Sequence, residues 1–307
     1  MRAMRGRRAV LIAGASVLLF RLLLFPESAR SGVQEGLRLC GTSVIPALFP
    51  FLVVSSLLIA LGCGELLSGP LAFLMQPLFR VDGAGACALV LGWIGGYPIG
   101  PRTTAELYRD GLLSKPEAER LLSFCNNANP AFVISVLGVG TFSSVRIGLW
   151  LWLIQIASSL LTGLLFRSQG QEAPGACWPR RSSSRTAAFS EAFVESVGAG
   201  LSSILSICAF VLFFYVLAQP LRTLPGPIGL FLSGTLELFS TAPHIPATAA
   251  GFLLASALCG WGGWSVQFQT RAVLSGSGLS LRNCFWGKLC QSVLSAGLAL
   301  AAAPRLF

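Results

Sequence analysis

Three asparagines, Asn126, Asn127 and Asn129, stand directly before Pro130 in the run FCNNANPAF. Each offers amide donors and a carbonyl acceptor. Pro130 removes a backbone donor and biases Asn129 away from the helical region. The run therefore predicts a helix break in which freed backbone groups and side-chain amides share one space. Upstream lies Gly95-Gly96-Tyr97-Pro98, which allows a tight turn with exposed amide groups. Arg102 follows it, and a guanidinium suits a carboxylate better than an ammonium does. A second set repeats the theme: Gly262-Gly263, then Gln267, Gln269 and Arg271. Together these residues predict a site that binds a small anion. The competing explanations are a kink satisfied by neighbouring helices, an Arg102–Glu106 pair one turn apart, Arg271 reaching for the interface, and glycines that serve helix packing.

The 307 residues are 54% hydrophobic and only 11% charged, against about a quarter charged in soluble domains. This is the composition of an integral membrane protein. The 34 Gly and 17 Pro fit close helix packing and interrupted helices. The net charge of +10 arises from 22 Lys+Arg against 12 Asp+Glu. The basic residues cluster at span ends, which predicts cytoplasmic loops rather than nucleic-acid binding. The nine cysteines form no CxxC pair and read as small packing residues. The lone His244 lacks converging ligands, so no metal site is expected.

The elements that position the site follow from apolar runs and their breaks. Residues 1–40 read as a first helix with its N-terminus in the cytoplasm, followed by an amphipathic interfacial segment. Gly41 to Cys63 is long enough to span. Residues 84–112 read as a re-entrant hairpin, apolar until its glycines and polar thereafter. Ser114-Lys115-Pro116-Glu117 starts a helix that runs into the asparagine break and resumes from Ala131. Ile147 to Phe166 spans, and the Arg- and Ser-rich stretch 167–188 reads as a cytoplasmic linker between halves. In the second half, Ser196 to Leu221 and Cys284 to Pro304 span, with a second hairpin at 248–279 between them and the C-terminus in the cytoplasm. The expected fold is an all-α polytopic membrane protein with about six full transmembrane helices and two re-entrant helical hairpins.

The hairpins resemble each other. Laying Gly95 on Gly262 also lays Leu91, Gly96, Thr103, Ala105, Leu107, Gly111 and Leu112 on Leu258, Gly263, Thr270, Ala272, Leu274, Gly278 and Leu279. Paired glycine-interrupted segments in two halves point to a transport site, and the opposite directions of the two leading spans predict inverted repeats. Val293 falls opposite Asn126, so the asparagine break has no second copy. Asn129-Pro130-Ala131 spells the water-channel tripeptide, but a second copy is missing there too. Catalysis lacks HExxH, GxSxG or paired membrane aspartates, and ATP-driven pumping lacks a P-loop, so neither an enzyme nor a cofactor is expected.

The block from Gly95-Gly96-Tyr97-Pro98-Ile99-Gly100 through LYRDGLLSKPEAERLLSFCNNANPAF, with the later Gly-Gly-x-x-Val-Gln, resembles the YlbJ (SpoVV) family of sporulation integral membrane proteins. That family is related to the nucleoside-recognition, or Gate, domain group with the architecture of concentrative nucleoside transporters. The resemblance covers most of the chain from Gly41 to Leu300. It implies Gate-like repeats at 41–166 and 189–307. It also implies transport, by alternating access, of dipicolinic acid across the outer forespore membrane, which derives from the mother-cell cytoplasmic membrane. The partners implied are this small anionic substrate and the lipid bilayer, with homo-oligomers or other sporulation membrane proteins left open. A planar aromatic dicarboxylate would suit two arginines, exposed amides and asparagines walled by Tyr97, Trp261 and Trp264. The family pattern has a histidine after the second glycine pair, whereas Ser265-Val266-Gln267-Phe268-Gln269 has none, so no role carries over there. The alternatives are a permease for nucleosides or other small metabolites, and a non-transporting sporulation scaffold.

Overall fold

Apolar runs bounded by capping residues, prolines and glycines become helices along the whole chain. The computed structural model describes residues 2–168, 189–224 and 226–307. The linker expected at 167–188 lies outside them from residue 169 onward, as does Cys177. Every regular element among the described residues is helical: α1 Arg2–Leu24, α2 Pro26–Leu39, α3 Ile45–Ala60, α4 Cys63–Phe79, α5 Gly85–Gly95, α6 Ile99–Arg109, α7 Lys115–Leu121, α8 Val145–Phe166, α9 Phe189–Arg222, α10 Gly226–Leu236, α11 Leu238–Thr241, α12 Ala249–Trp261, α13 Gly263–Val273 and α14 Arg282–Ala302. Two π-helical segments join them, Cys40–Val44 between α2 and α3, and Ala131–Thr141 before α8.

The chain is a polytopic membrane protein. Among the described residues, four helices are long and apolar enough to cross a bilayer: α8, α9, Ala249–Val273 and Arg282–Arg305. A fifth arises if Ile12–Leu24 and Pro26–Val44, bent by 96°, count as one span. Against the six full crossings expected, four or five helices qualify by length and apolar character among the described residues. Leu48–Ala60 and Ala131–Thr141 are apolar but short, the second because the asparagine break truncates it.

The first hairpin forms as read. Helices α5 and α6 pack against each other around a tip at Gly96, whose φ is +86°, with a cis peptide between Tyr97 and Pro98. The second does not. Helices α12 and α13 lie end to end as one 25-residue span, α12 against α14 and α8, α13 against α9, α10 and α6. Gly262 breaks the span in the left-handed region at φ +83°. The helix restarts at once from Gly263, so no turn of chain is left to fold the two halves back on each other. The expected hairpin at 248–279 is therefore a broken span.

Helix starts follow ordinary capping chemistry. The Ser114 hydroxyl accepts from Glu117 N while the Glu117 carboxylate accepts from Ser114 N at 2.8 Å, a complete capping box for α7. The same carboxylate accepts from Asp82 N at 2.9 Å and so ties α7 to the turn that opens the hairpin. Glu117→Ala removes both, and a melting temperature lowered by several degrees is expected, since a lost cap costs about 1 kcal/mol and a lost buried hydrogen bond about as much again. Differential scanning fluorimetry in detergent measures it.

Two cores result. One unites α4, α5, α7 and Phe124 around the hairpin's outer side. The other gathers Val44, Tyr97, Phe132, Leu238, Phe239 and Cys259, where the hairpin tip, both π-helical segments and the broken span converge.

Candidate functional site

The convergence point is built from interruptions. After α7 the chain runs without regular structure through residues 122–129, then enters the π-helical segment with Pro130 as its N-cap. The Asn129 side-chain carbonyl accepts from Phe132 N at 2.7 Å, which fixes its amide orientation. The Asn129 amide nitrogen then has no partner among the described residues, although the residue is 3% exposed. π-Helical turns leave room that α-helical packing would fill, and they recur at functional sites.

Asn129, Tyr97, Ser135, Phe132, Phe239 and the Thr42–Val44 turn line a cavity of about 410 Å³. That volume falls within the range of small-molecule sites. Its walls are largely apolar, and Phe132 and Phe239 pack with ring centroids 4.5 Å apart. Its polar contributors are hydroxyls, the Asn129 amide and the hairpin tip.

Behind Tyr97 lies a buried polar cluster. The Tyr97 hydroxyl donates to the Cys259 carbonyl in the broken span. A β-carbon at Gly262 would sit 3.3 Å from Tyr97 Cζ, so the two glycine corners meet at this ring. Lys288 on α14, fully buried, donates from Nζ to Asn126 O at 2.7 Å and to Gln291 Oε1 at 2.9 Å, with Nζ 5.1 Å from the Tyr97 ring centroid. Gln291 Nε2 donates to Asn127 Oδ1 at 2.7 Å and to Gln155 O at 3.3 Å. Gln155 Nε2 in turn donates to Ala128 O at 2.8 Å, and Asn126 Nδ2 to Thr270 Oγ1 at 2.9 Å. Each amide's orientation is set by its partner. Two acceptors, Asn126 Oδ1 and Gln155 Oε1, remain without one among the described residues.

The structure thus gathers Gly96, Tyr97, Asn126, Asn127, Asn129, Pro130 and Gly262, but not the whole expected set. Gly95 packs on Ile99 within its hairpin, Pro98 caps α6, and Gly263 lies under the end of α10. Gln267 reaches the Trp261 carbonyl at 3.4 Å and Gln269 the Ser265 hydroxyl at 3.1 Å, both local to the broken span. Arg102 bonds Glu106 at 3.0 Å and Ser203 Oγ at 2.6 Å, tying α6 to α9 outside the cavity wall. Arg271 is exposed beside the 274–281 loop. The two arginines therefore do not face one ligand. Of the expected aromatic walls only Tyr97 lines the cavity. Trp261 instead donates to Thr235 O and packs edge-on with Trp264.

The sequence reading missed Lys288, Gln291 and Gln155. A signal was present: Lys288, Gln291 and Ser295 recur at helical spacing in an otherwise apolar span, as do Gln155, Ser158 and Thr162. Ionisable residues inside membrane helices mark function by default. By the register that lays Asn126 on Val293, the second half supplies no second break. It supplies the helix that docks on the first, with Val293 74% exposed on the opposite face.

The chain is similar to the sporulation integral membrane protein YlbJ of Bacillus subtilis (strain 168), 27% identical over an alignment that covers 92% of this chain and 80% of that protein. This supports the resemblance to the YlbJ family over nearly the full length. No family model matches the chain, and no solved structure matches it.

Proposed function

We propose that the protein is a sporulation transporter of a small organic anion, dipicolinic acid, which it carries across the outer forespore membrane. The observation that carries this reading is the cavity between the hairpin tip and the asparagine break, lined by Asn129, whose amide nitrogen is unpartnered among the described residues. Irregular backbone at membrane depth is tolerated where it lines a cavity or is covered by protein, and this chain concentrates its irregular backbone there. Apolar aromatic walls suit a planar ring, and the hydroxyls and free amide suit its carboxylates. The similarity to the sporulation integral membrane protein YlbJ supports a role in sporulation. Movement of the hairpin tip against the broken span gives alternating access.

Uptake of labelled dipicolinate into proteoliposomes tests the reading. Wild type is expected to accumulate label, with uptake unaffected by excess nucleoside. Asn129→Ala is expected to lower uptake by about tenfold, the worth of one hydrogen bond to a charged group. Nucleoside uptake that dipicolinate does not inhibit supports the permease alternative, and uptake of neither by folded protein supports the scaffold.

A further inference from the structure

Lys288 is fully buried, and no Asp or Glu oxygen lies within 4.0 Å of its ammonium among the described residues. Its contacts are neutral: the Asn126 carbonyl, the Gln291 side-chain oxygen and the face of Tyr97. Helix packing does not need such a group, because an unbranched methionine would fill most of the space without desolvating a charge. A buried cation held only by dipoles is poised for an anion that arrives from outside. The structure also shows what stands between that cation and the cavity. Tyr97 lines the cavity and lies over the ammonium, and its hydroxyl is fastened to the Cys259 carbonyl. The ring belongs to the hairpin tip, the carbonyl to the broken span, so relative movement of the two must release this bond.

We infer that Lys288 is the anion-selecting residue of the transport site and that Tyr97 is the latch in front of it. This rests on the transport reading above. With the latch closed, the ammonium is held by Asn126 and Gln291. When the tip withdraws, the ring leaves the ammonium and a cargo carboxylate takes its place. Asn126 and Gln291 hold the lysine in position, and Asn129 contacts the remainder of the cargo from the cavity wall.

The test compares dipicolinate with its neutral diamide, using full-length protein in proteoliposomes. Wild type is expected to prefer the dicarboxylate by at least about tenfold, the worth of one charge-assisted contact. Lys288→Gln is expected to abolish the preference and raise KM for dipicolinate. Lys288→Arg keeps the preference. Tyr97→Phe keeps it too but speeds uptake of both probes. Unchanged preference in folded Lys288→Gln overturns the inference and leaves the transport reading standing, whereas uptake of neither probe by wild type sinks both.

Should Lys288→Gln fail to fold, labelling decides. Mass spectrometry of protein treated with a small amine-acylating reagent is expected to show Lys288 modified faster in Tyr97→Phe than in wild type, with dipicolinate protecting and the diamide not. Equal protection by both probes, or no modification of Lys288 in either protein, overturns the inference.

Discussion

Gly100→Ala is expected to yield no monodisperse protein in detergent and no uptake of any probe. A β-carbon at Gly100 would lie 2.0 Å from the Cys125 carbonyl oxygen and 2.8 Å from its carbon, a collision with backbone rather than with a flexible side chain. The same oxygen lies 2.0 Å from a β-carbon built on Gly92 in the facing leg. The hairpin thus straddles the Cys125 carbonyl, with no slack on either leg. Relief requires α5 and α6 to move off residues 122–129, which would part Tyr97 from Cys259 and uncover both cores. Overpacking of this kind costs about 1–3 kcal/mol where neighbours can yield, and more is expected where a backbone carbonyl must move. Size-exclusion chromatography of Gly100→Ala beside Gly297→Ala, a site with no heavy atom within 4 Å of an added β-carbon, separates the specific clash from general intolerance to alanine. A monodisperse, thermally stable Gly100→Ala protein would refute the seating described here.

Gln291→Leu is expected to lower the melting temperature by roughly 5–15 °C and to abolish dipicolinate uptake, each stranded buried polar group costing about 1–3 kcal/mol. Leucine occupies a similar volume but leaves Asn127 Oδ1 and one Lys288 donor without their partner, while Gln155 O keeps the Ser158 hydroxyl at 3.0 Å. Asn127 would then hold only the Phe124 carbonyl, at 2.9 Å, and the Lys288 bond to Asn126 O would be left to tie the break to α14. Val293→Leu, two residues along on the exposed side of the same helix, is expected to melt as wild type does. The pair isolates the polar network from helix propensity, because leucine suits a helix at either position. Equal melting temperatures for the two variants would show that the break is held by its own packing instead.

The architecture explains why a site of this kind sits on interruptions rather than on long spans. Complete helices satisfy their own backbone and leave only side chains to recognise a ligand. At the asparagine break and the two glycine corners the backbone carbonyls of Cys125, Asn126, Ala128 and Cys259 are free to be bonded from outside the helix ladder, and each accommodates an element from elsewhere in the chain. The hairpin, the broken span and α14 are thereby held around one point although they lie more than 150 residues apart in sequence at the extremes, as in the pair Lys288 and Asn126, |i−j| 162.

The sequence by itself determined the membrane class, the all-helical fold, the first hairpin, the capped start of α7 and the break before Pro130. These follow from local causes: hydropathy over a span length, proline and glycine stereochemistry, and Ser/Glu capping act within a few residues of one another. Only the tertiary structure decided that residues 249–273 form one broken span, since Gly-Gly permits a reversal and a restart equally and the packing of α13 on α9 selects between them. It alone paired Arg102 with α9, left Arg271 exposed and placed Lys288 beneath Tyr97. The stretch around Asn126–Pro130 advertised its polarity in the sequence. Its partners did not, because a lone lysine and glutamine in an apolar helix take their meaning from which face of that helix is buried, and long-range packing alone sets that face.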